Sequence, residues 1–214
     1  MDSKEIMHKQ QKILGILCIL LPVLCIGFGF IGKIFGTNYP TWFYSISDTY
    51  YSNSKIFMIG ILGACGIYFW AYKGYDLWDN IITSITAVCS FGIITFPCWT
   101  AYADKVGVFC LPVNISGHIH NAFAITLYLS FFAQVLRFRK SSGELTEKKK
   151  LRNRLYLICF LIMAFGVIFY CSKKFIPFFK AKGWLILITE FFVQFGYGFA
   201  WLIKSEAFKK LNDD

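Results

Sequence analysis

Six continuous blocks of apolar residues, each about as long as a bilayer is thick, constrain this chain more than any other feature. They run approximately over residues 13–32, 56–73, 80–98, 118–136, 154–171 and 184–203. A helix rising ~1.5 Å per residue needs about 20 residues to cross ~30 Å of hydrocarbon. The blocks do not alternate polar and apolar residues, which argues against barrel strands. With 57% hydrophobic residues and a mean hydropathy of +0.54, the chain has more apolar surface than water tolerates, and the surplus must face lipid. The expected fold is all-α: one polytopic membrane domain over residues 1–214, a bundle of six transmembrane helices. Ile13 to Gly32 is too long for the h-region of a cleavable signal, and no small-x-small pattern follows it, so it is expected to remain as the first helix.

A formal charge of +10 on a soluble domain would suggest nucleic acid. The distribution of the cations argues against that partner here. With six spans and the N-terminus inside, 15 of the 22 Lys and Arg residues fall on inner segments. By the positive-inside rule both termini are then cytoplasmic, and the expected location is the plasma membrane. The connector from Arg137 to Arg154 alone holds eight cations. Such a face suits anionic lipid, at about 1 kcal/mol per cation near the surface. Outside, Lys173, Lys174, Lys180 and Lys182 flank Phe175, Pro177, Phe178 and Phe179. That segment reads as interfacial, its rings dipping into headgroups while its ammoniums reach lipid phosphates.

A charge inside a span costs about 2.5–3.5 kcal/mol on the insertion scale, so intramembrane acids are functional candidates. Glu190 is the clearest, about 9 Å past Trp184 along helix 6, with Gln194 one turn further on the same face. His118 and His120 open helix 4 at the same outer boundary, with Ser116 before them and Asn121 after. Ser45, Ser47, Asp48 and Thr49 approach from that side too. Segments far apart in sequence thus deliver Ser, Asp, His and Glu to one membrane face.

Each of these residues also has a plainer role. Asp48 can be a loop or capping residue. His118 and His120 point about 200° apart on a helix, so at most one is central and the other is an interfacial histidine. Glu190 can simply pair with Gln194 or a tyrosine hydroxyl. On the inner face Asp76, Asp79 and Asn80 suffice as caps for helix 3, and Gly60, Gly63, Gly66, Gly196 and Gly198 read as helix-packing positions.

The first outer connection, Lys33 to Lys55, carries Tyr39, Trp42, Phe43, Tyr44, Tyr50 and Tyr51. Such aromatic content suits a segment folded over the mouth of the bundle or an interfacial belt. Between helices 4 and 5, Ser141-Ser142-Gly143 reads as a break and Thr146 as a cap. Six of the eight cysteines lie within spans. Cys98 and Cys110 bracket the third loop, in the compartment where disulfides persist, and are either bridged or two unrelated thiols. Asn114-Ile115-Ser116 is a sequon in the same loop.

The order of these features resembles the DRAM, Frag and Sfk group of six-span membrane proteins. In that group a long first loop ends in a Ser-Asp-Thr-Gly-like motif, a His begins helix 4 and a Glu opens helix 6. The corresponding segments here are Ser45-Ile46-Ser47-Asp48-Thr49, Gly117-His118-Ile119-His120 and Thr189-Glu190-Phe191-Phe192, with Tyr50 where the group carries Gly. Ser45 to Tyr51, Arg152 to Tyr156 and Phe195 to Lys204 also resemble an uncharacterised bacterial membrane family. The first resemblance implies lipid handling, and the converging polar residues Ser45, Ser47, Asp48, His118, His120, Asn121, Glu190 and Gln194 are the candidate ligand-binding residues.

Three functions compete. The first is a non-catalytic membrane protein binding lipid or a membrane partner. The second is a ceramidase-like lipid hydrolase, with zinc on Asp48, His118 and His120 and with Asp48, His118 and Glu190 as catalytic residues. The third is a homo-oligomeric channel or transporter. No Walker loop, Rossmann fingerprint or GxSxG elbow is present, which excludes the usual soluble enzyme classes.

Overall fold

The computed structural model describes residues 3–35, 43–139, 146–179 and 183–211. Six helices make up the bundle: α1 (Ser3–Ile34), α2 (Lys55–Ala71), α3 (Leu77–Thr95), α4 (Val113–Phe138), α5 (Glu147–Cys171) and α6 (Leu185–Lys204). The chain is thus an all-α bundle. Five of the helices are long and apolar enough to cross a membrane, and α2, with 17 residues, stands at the lower limit of a span. Apolar side chains such as Val23, Ile67, Val88, Ile125, Leu129 and Ile168 line the outside. An apolar exterior of this extent belongs in lipid, so the chain is an integral membrane protein.

Local chemistry sets where the helices begin and end. Asp76 caps α3, its carboxylate accepting from Asp79 N at 3.0 Å. At the other end Pro97 biases Phe96 away from helical geometry, and Phe96 is extended (φ −113°, ψ 91°). Helix α3 therefore covers residues 77–95 and not 80–98. Thr146 caps α5 by accepting from Lys149 N at 3.1 Å, so α5 starts a polar turn and more before its apolar block. Helix α4 starts directly after Pro112, five residues before His118. A short hairpin between α3 and α4, Lys105–Val106 against Leu111–Pro112, turns through Gly107 (φ 75°) and Cys110 (φ 48°).

Helix α6 is the most enclosed of the spans and α5 the least. Two glycines on α6 explain how it packs so closely. A Cβ on Gly198 would stand 2.9 Å from Gly15 O on α1, and one on Gly196 would stand 2.9 Å from Cys159 O on α5. Small residues thus let α6 touch the backbones of two neighbours, and dispersion replaces the hydrophobic drive that is absent in lipid. Gly15 belongs to this packing as well. Gly66 meets the Phe91 ring, whereas nothing lies within 4 Å of a Cβ on Gly60.

Below the packed crossings, Phe131 stacks on Tyr197 at 3.6 Å, and Trp201 stands edge-on to Tyr72 and Phe138. His8 Nδ1 lies 3.6 Å from Glu206 Oε2, so the first turns of α1 and the end of α6 emerge at the same end of the bundle.

Candidate functional site

The segment before α2 is a 3-10 turn, η1 (Ser47–Tyr51), laid across one end of the bundle. Asp48 builds its entrance. The carboxylate Oδ2 accepts from Tyr44 N at 2.8 Å and Ser45 N at 3.0 Å, while Asp48 N donates to Ser45 Oγ at 3.0 Å. This reciprocal pair is a side-chain capped turn. The other carboxylate oxygen, Oδ1, receives Cys98 Sγ at 3.9 Å.

Three side-chain links then hold η1 to the helices. Glu190 on α6 accepts from Ile46 N. Tyr51 Oη donates to Cys98 O at 2.6 Å. His120 on α4 faces Ser47 Oγ through Nε2 at 3.0 Å and Phe96 O through Nδ1 at 2.8 Å. A carbonyl only accepts, so Nδ1 carries the proton, and in the neutral ring Nε2 accepts from the Ser47 hydroxyl. That tautomer matches a base facing a nucleophile, and it equally ties η1 to α4.

The structure therefore joins Ser45, Ser47, Asp48, His120 and Glu190, with Gln194 one turn deeper on α6. His118 and Asn121 lie exposed on other faces of α4, as the ~200° separation of His118 and His120 requires. Ser116 donates to Pro97 O at 2.8 Å and holds the α3–α4 connection against α4. Under η1 lies a cavity of about 30 Å³, lined by apolar Leu21, Met58, Leu62 and Leu127 and by polar Ser47, Tyr128, Glu190 and Gln194. It has room for roughly one water. Tyr39 and Trp42, expected over this mouth, lie outside the described residues, whereas Phe43 is buried.

Two of the arrangements that the sequence left open are not formed. Asp48 directs its oxygens into its own turn and toward Cys98, and His118 faces outward, so the trio Asp48, His118 and His120 does not converge. Among the described residues no three His, Cys, Asp or Glu side chains stand close enough to hold a metal ion. The Cys98–Cys110 bridge is also not formed, and both thiols are free. Cys98 turns in toward Asp48, whereas Cys110 is exposed in the hairpin. Burial first, and then the Asp48 charge, push the Cys98 thiol well above its ordinary pKa.

Sequence reasoning missed a polar network in mid-bundle. Tyr197 Oη donates to Gln134 Oε1 at 2.5 Å, Gln134 Nε2 donates to Thr86 Oγ1 at 2.7 Å, and Thr86 Oγ1 is 2.8 Å from Ser130 Oγ. At the far end Arg137 pairs with both Asp76 and Asp79. The available signal was the helical spacing of Ser130, Gln134 and Arg137 on α4, and of Glu190, Gln194, Tyr197 and Lys204 on α6.

Comparison with known proteins adds no relative: no family model, no curated protein and no solved structure matches this chain.

Proposed function

We propose that this integral membrane protein binds and handles lipid beneath η1, with both termini in the cytoplasm and the η1 end of the bundle facing outward. The single observation that carries the reading is the cavity under η1, whose wall combines polar Ser47, Tyr128, Glu190 and Gln194 with apolar Leu21, Met58, Leu62 and Leu127, a mixture that suits a ligand with both polar and apolar parts. In the closed form there is space for about one water, so uptake requires η1 to swing away from His120 and Glu190. The resemblance to the DRAM, Frag and Sfk group points the same way, as does the basic connector from Arg137 to Arg154, which would sit on the inner leaflet.

Mass spectrometry of lipid retained by detergent-purified protein tests the reading. Wild type retains a defined lipid class, and Ser47→Ala with Glu190→Leu loses it while the helical circular dichroism is kept. Retention of only the bulk lipid composition, equal in wild type and variant, overturns it.

A second reading rests on the Ser47–His120 pair. Its 3.0 Å separation and fixed tautomer fit an acyl-transfer serine with its base. Labelling of Ser47 by a fluorophosphonate, abolished in His120→Gln, would support this reading, and absence of labelling in lipid vesicles would exclude it.

A further inference from the structure

Glu190 is an acid inside a span with no cation beside it. It is 8% exposed, and Ile46 N donates to its Oε2. Tyr128 on α4 also reaches the carboxylate, and Asp48 on η1 places a second acid nearby. His120 brings no charge, because its ring is neutral in the tautomer that Phe96 O and Ser47 select. Among the described residues no Lys, Arg or His forms an ion pair with Glu190. A carboxylate charge in such surroundings is costly unless it is neutralised or met by a cation.

Gln194 stands one turn deeper on α6 and lines the cavity under η1 together with Glu190. It is 4% exposed, and its side-chain amide has no hydrogen-bond partner among the described residues. Neighbours do not seal that amide in, as they do Gln11 Oε1, so it opens onto the space that it borders. A buried amide left unpaired is costly and rare. Ser47 adds a third group to the same wall. Its hydroxyl proton goes to His120 Nε2, which leaves lone pairs on the oxygen free to accept. The Tyr128 hydroxyl is a fourth, and the space of about 30 Å³ between them admits one particle the size of a water.

We infer that the closed cavity binds a sodium ion, held by oxygens of Glu190, Gln194, Ser47 and Tyr128. Hard cations take oxygen ligands, and these side chains offer one charged and three neutral groups from η1, α4 and α6. The single carboxylate on the wall balances a single positive charge. Calcium is a poorer match, since it takes about six to eight oxygens, several of them from acids. Sodium at this position meets the Glu190 charge and gives the Gln194 carbonyl a partner in one step. The inference goes beyond lipid binding: the ion fills the closed cavity, whereas lipid enters only after η1 has swung away.

The test uses the full chain, purified in choline chloride and placed in phosphatidylcholine nanodiscs. Sodium chloride replaces choline chloride at constant ionic strength, and potassium chloride does so in a parallel arm. Thermal shift reads binding, because a ligand of the folded state raises stability with its concentration. Wild type melts at progressively higher temperature in sodium and shifts less in potassium. Glu190→Gln keeps an acceptor for Ile46 N but removes the charge, and it loses the sodium response. Gln194→Leu needs about tenfold more sodium for the same shift. Equal melting of wild type in sodium and choline, as a protonated acid would give, overturns the inference. So does potassium as effective as sodium, or either variant responding as wild type does. Should Gln194→Leu lose helicity, Gln194→Met decides by the same criterion. Lipid retention is measured separately, so a failed sodium titration leaves the lipid reading standing, and a failed lipid measurement leaves this one.

Discussion

Glu190 on α6 accepts the backbone N–H of Ile46, 144 residues earlier in the chain, and this bond joins the loop before α2 to the most enclosed helix. Both ends are buried. Glu190→Leu leaves the Ile46 N–H without an acceptor, a loss of about 1–3 kcal/mol. Glu190→Gln keeps an amide oxygen in place and should lose less. Thermal denaturation in detergent will rank wild type above Glu190→Gln above Glu190→Leu. Equal stability of all three would show that the bond does not hold η1.

The two histidines of α4 should behave oppositely. His120 is buried and joins Ser47 to Phe96 O, whereas His118 is exposed two residues away. His120→Ala should destabilise by about 1–3 kcal/mol as two links are lost, and His118→Ala should stay within about 0.5 kcal/mol. The same denaturation measurement checks both. A larger effect at His118 would mean that the helix faces have been assigned wrongly.

Much of this architecture was legible in the sequence because lipid enforces a simple rule: a span must be long, apolar and internally hydrogen-bonded. That rule locates α1, α3, α5 and α6 and brings Ser47, Asp48, His120 and Glu190 to one end. Which histidine turns inward depends on where α4 begins, and the helix starts five residues earlier than the apolar block suggests. The pairing of Arg137 with Asp76 and Asp79 was hidden for another reason. Caps explain those acids locally, and only the three-dimensional approach of α4 to the α2–α3 turn reveals the second partner. The thiols likewise could not be paired from spacing, since Cys98 and Cys110 bracket one loop but face different surroundings.

Gly198 lets α6 reach the backbone of α1. A Cβ there would stand 2.7 Å from Ile19 Cγ1 and 2.9 Å from Gly15 O, and a backbone oxygen cannot move aside as a side-chain tip can. Gly198→Val should therefore separate the two helices and cost about 1–3 kcal/mol, as other overpacked sites do. Gly60→Ala, where a Cβ meets nothing within 4 Å, is the control and should leave thermal stability in detergent within about 0.5 kcal/mol of wild type.

The cysteines report both the sidedness and the local electrostatics. Cys110 in the hairpin and Cys171 at the end of α5 are exposed at the η1 end, while Cys98 is turned inward. A membrane-impermeant maleimide should label Cys110 and Cys171 from the same side of intact cells, and the proposed orientation makes that the outer side. Cys98 should resist at neutral pH. Burial and the Asp48 carboxylate both disfavour its thiolate and raise its pKa, and the thiolate is the reacting species. As pH rises, Cys98 should lag behind an ordinary thiol. Asp48→Asn removes the charge contribution but not the burial, so it should narrow the lag without closing it. Labelling of Cys98 at the rate of Cys110 in wild type would mean that η1 does not close over the end of the bundle.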